Sequence, residues 1–191
     1  YSPNDGQTIG LQGMIDDMLR RCHDGDGRPT APNPAELNTG DRITLTRTIT
    51  GIENGDYSDE ELATFKDKAD SVKATPILGI TGTGGAGKSS STDEIIRRFR
   101  QDSADSLKIA VLAIDPTRKK TGGALLGDRI RMNAIGHSNI FMRSIATRNV
   151  SVEIPERLSE IIAAIKLSGF DLVIVETPGI GQGDAGIVPF V

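Results

Sequence analysis

Residues 77–90 read ILGITGTGGAGKSS, and the rest of the chain is organised around this stretch. A short apolar run leads into a glycine-rich loop, and the loop ends in Lys88-Ser89. Gly82, Gly87, Lys88 and Ser89 satisfy G-x-x-x-x-G-K-[ST], the pattern of a phosphate-binding loop (P-loop). Glycines let a backbone curl so that successive N–H groups point inward and form an anion nest. A helix following such a loop aims its positive end at the same phosphates. In that reading Lys88 neutralises the β- and γ-phosphates, a catalytic role, and the Ser89 hydroxyl ligates Mg²⁺. The plain alternative is a glycine-rich turn with an incidental Lys-Ser. A strand pattern before the loop and a helix pattern after it favour the P-loop.

Bulk composition narrows the classes. The chain has 191 residues, 37% hydrophobic and 25% charged, which suits a globular fold rather than a disordered one. Its net charge of −4, with mixed signs, argues against a general nucleic-acid or anionic-membrane binder. Cys22 is the single cysteine, so an intrachain disulfide is excluded and a reducing cytoplasm is the expected setting. No apolar run approaches spanning length, and no signal-peptide pattern opens the chain. It also lacks an initiator Met, so it reads as a piece of something longer.

Outward from the loop toward the N-terminus, residues 58–72 begin with Ser58-Asp59-Glu60-Glu61, a capping box, and carry Leu62, Phe65, Ala69 and Val72 on one helical face. Residues 41–54 fit two patterns: alternating threonines suit a strand, whereas Leu45, Ile49 and Ile52 suit a helix face, and Ile52 tips the reading to helix. Residues 23–38, rich in Gly, Pro and charge, read as a linker or surface loop, and His23, Asp24 and Asp26 lack the spacing and terminal Glu of a calcium loop. Ile9, Leu11, Met14, Ile15, Met18, Leu19 and Cys22 form an apolar helix face over residues 7–22, for core packing or for docking on a neighbouring domain.

Toward the C-terminus, residues 89–101 form the predicted covering helix, with Ile95, Ile96 and Phe99 inward and Arg97, Arg98 and Arg100 outward. Apolar runs at 109–114, 140–142 and 172–175 predict further strands, and residues 155–167 another helix. Strands alternating with helices give an α/β fold with a mainly parallel sheet. Ligands in such sheets sit beyond the carboxyl ends of the strands. Two predicted strands run straight into acids there, at Asp115 and Glu176. A buried strand ending in a carboxylate is the sequence form of a Walker B element, which holds Mg²⁺. Gly179, Gly181, Gly183 and Gly186 suit a segment that rearranges when a γ-phosphate is lost. Residues 119–131 read either as an exposed loop or as a switch whose Asp128 faces the metal or the attacking water. His137 is given no role.

GITGTGGAGKSS, AIDPTRKKTGGALLGDRIRM and VIVETPGIGQGD together resemble the GTPases that chaperone cobalamin-dependent acyl-CoA mutases, relatives of the nickel metallochaperone GTPases. Pro178 and the following GQGD look closest to the GTPase segments of fused isobutyryl-CoA mutases, and YSPNDGQTIGLQGMIDDML looks like the passage leaving their cobalamin-binding domain. The resemblance implies residues 1–57 as a helical linker after that domain, and 58–191 as the N-terminal part of a P-loop GTPase domain. It implies Mg²⁺-dependent GTP hydrolysis that gates adenosylcobalamin loading and protects a mutase interconverting isobutyryl-CoA and n-butyryl-CoA. Carried over by motif, Gly82, Gly84, Gly85, Ala86, Gly87, Lys88, Ser89 and Ser90 hold phosphates, and Arg131 approaches the nucleotide. Mg²⁺ is met by Ser89, Asp115, Asp128 and Glu176, with backbone oxygens of Ile114 and Thr177, and Asp128 also serves hydrolysis. Implied partners are cobalamin-binding and mutase domains of the same chain, an adenosyltransferase and a second copy in a homodimer, with no nucleic acid or membrane.

Two features depart from that family. No N-K-x-D segment occurs, so guanine rests on the resemblance alone. The Asp-x-His-x-x-Gly cobalamin loop is also missing, so adenosylcobalamin is expected in the parent protein and not on this segment. A stop after the fourth strand further predicts an apolar sheet edge that needs the rest of its protein. A freestanding mutase chaperone, a nucleotide-sensing scaffold without hydrolysis, and an ATP-dependent kinase are the competing readings.

Overall fold

The computed structural model describes residues 3–24, 31–37, 40–72, 74–115, 132–147, 154–179 and 183–191. The chain divides into two compact units, residues 1–31 and 32–191. In the first, helix α1 (Pro3–Asp24) is broken at Gly10, whose φ of 65° and ψ of 174° leave the helical region. Turns of α1 are tied by Gln12 to Asp16 at 2.9 Å and Arg20 to Asp17 at 2.6 Å. Leu11, Met18 and Leu19 on this helix are exposed.

The second unit is built on a sheet of β1 (Ile77–Ile80), β2 (Ile109–Asp115), β3 (Ile140–Ala146) and β4 (Leu172–Glu176). Its order is β1-β4-β2-β3, with every pair parallel. Between them run α2 (Arg42–Asn54) and α3 (Asp59–Ser71) before the sheet, α4 (Lys88–Asp102) after β1, and α5 (Leu158–Leu167) after β3. The crossover from β1 to β2 passes β4 in one direction, and that from β3 to β4 passes β2 in the other. Right-handed crossovers running in opposite directions place α4 and α5 on opposite faces. On the α4 face, Ile96 packs among Ile109, Val111, Ala113, Ile140, Met142 and Ile174. On the α5 side, α2 and α3 pack against that helix, burying Leu45, Ile49 and Phe65.

Residues 42–54 are a helix because their apolar face is buried by the rest of the unit. Asp41 caps α2, accepting from the N–H groups of Ile43 and Thr44 at 3.0 Å each. Thr46 and Thr50 donate back to the carbonyls of Arg42 and Thr46 at 2.7 and 2.9 Å, so their hydroxyls are satisfied inside the helix. Burial of Leu45, Ile49 and Ile52 then decides against the strand. Residues 32–57, read in the linker from the sequence, belong to the same compact unit as the sheet.

Several local readings need correction. Val72 lies beyond α3 and is exposed. Phe99 is 39% exposed rather than inward, because only Thr92 and Ile96 of α4 are fully covered. Arg100 turns in, donating to Asp105 at 2.7 Å and to the Ala134 carbonyl at 2.9 Å. Helix α5 starts at Leu158, after Pro155 rather than on it. Strand β3 runs on past Met142, since the polar Arg143 that interrupts its apolar run is ion-paired with Glu53 of α2 at 2.6 Å.

Candidate functional site

Alternation along a strand sends every second side chain to one face. Ile109, Val111 and Ala113 meet the α4 face, so Asp115 in the same series shares it; Ile174 places Glu176 there likewise. Ala113 pairs with Glu176, which sets Asp115 two residues further along the neighbouring strand, roughly 8 Å away at Cα from strand spacing and rise. Both carboxylates are buried, at 5% exposure each. Ile80 pairs with Glu176, so the glycine-rich loop leaves β1 directly beside that acid.

The loop closes onto α4 through Gly87, whose φ of 82° is a left-handed conformation that side chains avoid. This helix has no side-chain cap and no acidic residue in its first turn. Its leading N–H groups and the positive end of its dipole therefore stay available to an anion. Lys88 curls back over the loop, its Nζ donating to the carbonyls of Gly82 at 2.8 Å and Thr83 at 3.1 Å. Ser89 Oγ donates to Glu176 Oε1 at 2.5 Å, and Thr92 Oγ1 lies 3.0 Å from Glu176 Oε2.

The segment after β4 folds against the same loop. Thr177 N donates to the Ile80 carbonyl at 2.9 Å, and its hydroxyl pairs with that of Thr81 at 3.0 Å. At Gly179 a Cβ would stand 2.6 Å from Cα and N of Gly84 and 3.0 Å from Lys88 Nζ. Only glycine permits that approach, so the loops following β1 and β4 are in direct contact. Further along α4, Asp93 accepts from Ala134 N at 2.7 Å while Arg100 donates to the Ala134 carbonyl at 2.9 Å. The helix thereby grips the backbone shortly after residue 131 from both sides.

Of the residues singled out in the sequence, Lys88 contacts Gly82 and Ser89 contacts Glu176, while Gly84 and Thr177 join the same region through Gly179, Ile80 and Thr81. Asp115 ends the strand next to them, with Ile114 buried just before it. Gly85, Ala86 and Ser90 are exposed on the loop and the first turn. Asp128 and Arg131 lie outside the described residues. Two participants were not singled out for these contacts: Thr92, a lone polar residue in the inward stripe of α4, and Gly179 as a site of close approach.

Ser89 and Glu176 fit Mg²⁺ in donor type, since both present hard oxygens, here hydrogen-bonded to one another beside the glycine-rich loop. Among the described residues no group of three or more His, Cys, Asp or Glu could hold a metal ion. Mg²⁺ needs no such cage, since one or two protein oxygens with phosphates and water commonly suffice. No helix among the described residues is long and apolar enough to cross a membrane.

A family model described as methylmalonyl-CoA mutase-associated GTPase MeaB matches residues 45–191. Over its whole length the chain is 60% identical to part of a fused isobutyryl-CoA mutase of Cupriavidus metallidurans, covering 17% of that protein. It is 33% identical to the GTPase ArgK of Escherichia coli over 81% of its own length and 47% of that protein. A crystal structure of an LAO/AO transport system kinase superposes with a TM-score of 0.56 at 27% identity, covering 83% of this chain and 46% of that one. The chain thus spans less than a fifth of the fused relative and about half of ArgK.

Proposed function

This chain belongs to the MeaB family of methylmalonyl-CoA mutase-associated GTPases, and on that premise we propose that it binds and hydrolyses Mg²⁺–GTP at the start of α4. The cycle gates adenosylcobalamin loading and protects an acyl-CoA mutase, acting on isobutyryl-CoA and n-butyryl-CoA, within one fused cytoplasmic protein. The observation that carries the reading is the 2.5 Å contact between Ser89 and Glu176, beneath a helix start free of side-chain caps.

In this proposal the backbone from Gly82 to Ser90 cradles the phosphates, and Lys88 exchanges its loop carbonyls for phosphate oxygens. When bound, Mg²⁺ would supply charge neutralisation at the phosphates. Ser89 and Glu176 would hold it, with Asp115 and the backbone oxygens of Ile114 and Thr177 as further ligands. Asp128 orients the attacking water and Arg131 approaches the nucleotide. Gly179, seated against Gly84 and Lys88 Nζ, gives the segment after β4 a direct sense of phosphate occupancy. The partners are the cobalamin-binding and mutase domains of the same chain, an adenosyltransferase and a second copy of the protein. Identity of 60% with a fused mutase, against 33% with ArgK, favours the fused arrangement over a freestanding chaperone.

The test is competition of GTP against ATP for the full-length protein, followed by single-turnover hydrolysis with and without Mg²⁺. Preference for GTP with metal-dependent turnover supports the proposal. Preference for ATP favours the kinase reading, and tight GTP binding without turnover favours a nucleotide-sensing scaffold.

A further inference from the structure

Thr92 sits three residues after Ser89 on α4 and is fully buried. Its Oγ1 lies 3.0 Å from Glu176 Oε2 and 3.0 Å from the Lys88 carbonyl. A hydroxyl has one proton to donate, and an ionised carboxylate attracts it more strongly than a neutral carbonyl does. Glu176 is therefore held by one hydroxyl on each oxygen, Ser89 on Oε1 and Thr92 on Oε2. The terminal torsion of a glutamate is soft, so its own covalent geometry does not fix the rotation of the carboxylate.

We propose that Thr92 is a positioning residue: by tying Oε2 back to α4 it turns Oε1 toward Ser89 and so sets the Mg²⁺ affinity of the site. The inference rests on the reading of Ser89 and Glu176 as the metal-holding pair. Thr92 has no direct part in gripping phosphate, since its hydroxyl is buried behind the carboxylate.

Binding of methylanthraniloyl-GDP to the full-length protein, in EDTA and across a Mg²⁺ titration, separates these effects without relying on turnover. Thr92→Val keeps the shape and removes the hydroxyl. It is expected to raise the Mg²⁺ concentration for half-maximal response about tenfold, the weight of one hydrogen bond to a charged group, and to leave affinity in EDTA unchanged. Thr92→Ser restores the donor and should return the response toward wild type. An unshifted Mg²⁺ response in Thr92→Val overturns the inference, as does an equal loss of affinity in EDTA or a failure of Thr92→Ser to rescue. A wild-type protein whose nucleotide affinity ignores Mg²⁺ overturns the metal-holding reading as well.

Discussion

Helices α3 and α4 begin in opposite ways. Ser58 opens α3 by accepting from Glu61 N at 3.3 Å, while Glu61 returns a carboxylate to Ser58 N at 2.8 Å. Three acids crowd its first turn and complement the dipole. The start of α4 has Gly87, no side-chain cap and no acid. One start satisfies itself, and the other keeps its donors for something external. With glycine at the cap position the forgone side-chain cap costs only roughly a few tenths of a kcal/mol, so the open start is cheap to keep.

The largest effect should come from Lys88→Ala, which removes the cation over the open start. Single-turnover GTP hydrolysis is expected to fall about a hundredfold or more, as when one preorganised electrostatic contact to a transition state is lost. Equal hydrolysis by wild type and variant would mean that Lys88 has no part in turnover.

Closing the open start should come next. Ser90→Glu places an acid in the first turn of α4, where it complements the dipole but faces incoming phosphates. Affinity for GTP should drop about tenfold while thermal stability holds or rises slightly. A variant that loses both together would mean that Ser90 matters for packing rather than charge.

Opening the closed start should do the reverse. Ser58→Ala is expected to cost about 1 kcal/mol, a fall in Tm of about 2–4 °C, with GTP affinity untouched. A matching loss of affinity would erase the distinction between the two starts.

The smallest effect concerns a third start. Glu160 in the first turn of α5 is buried, which alone would raise its carboxyl. Hydrogen bonds from its own N–H, Lys66 and Ser159, with the Lys66 charge, outweigh this and hold it below the usual range. A lowered carboxyl contributes stability that is fully present above the unfolded value of about 4.3 and is lost as pH falls through the folded value. Glu160→Gln should therefore be less stable at pH 7, by below about 1 kcal/mol given the half-exposed Lys66, and converge with wild type in acid. Denaturation curves that stay parallel down to low pH would remove Glu160 from the account.

What the sequence revealed tracks how local each cause is. The phosphate loop was legible because its glycines, Lys88 and Ser89 are contiguous. The acid at Glu176 was legible because a buried strand runs directly into it. Strand order was not, since β1-β4-β2-β3 depends on which crossover passes which strand. Non-local partners also explain the misread side chains: Glu53 lets Arg143 continue β3, and Asp105 with the Ala134 carbonyl draws Arg100 inward. Thr92 lay in the inward stripe of α4, yet its meaning depends on a carboxylate contributed by β4.

In the proposed function Ser89 and Glu176, hydrogen-bonded at 2.5 Å, act as one metal-holding unit. A double-mutant cycle of Ser89→Ala and Glu176→Gln, read as the Mg²⁺-dependent gain in GTP affinity of the full-length protein, addresses it directly. Strong coupling is predicted, of about 1–3 kcal/mol, with the double variant little worse than either single one. Losses that simply add would show that the two residues do not hold the metal together.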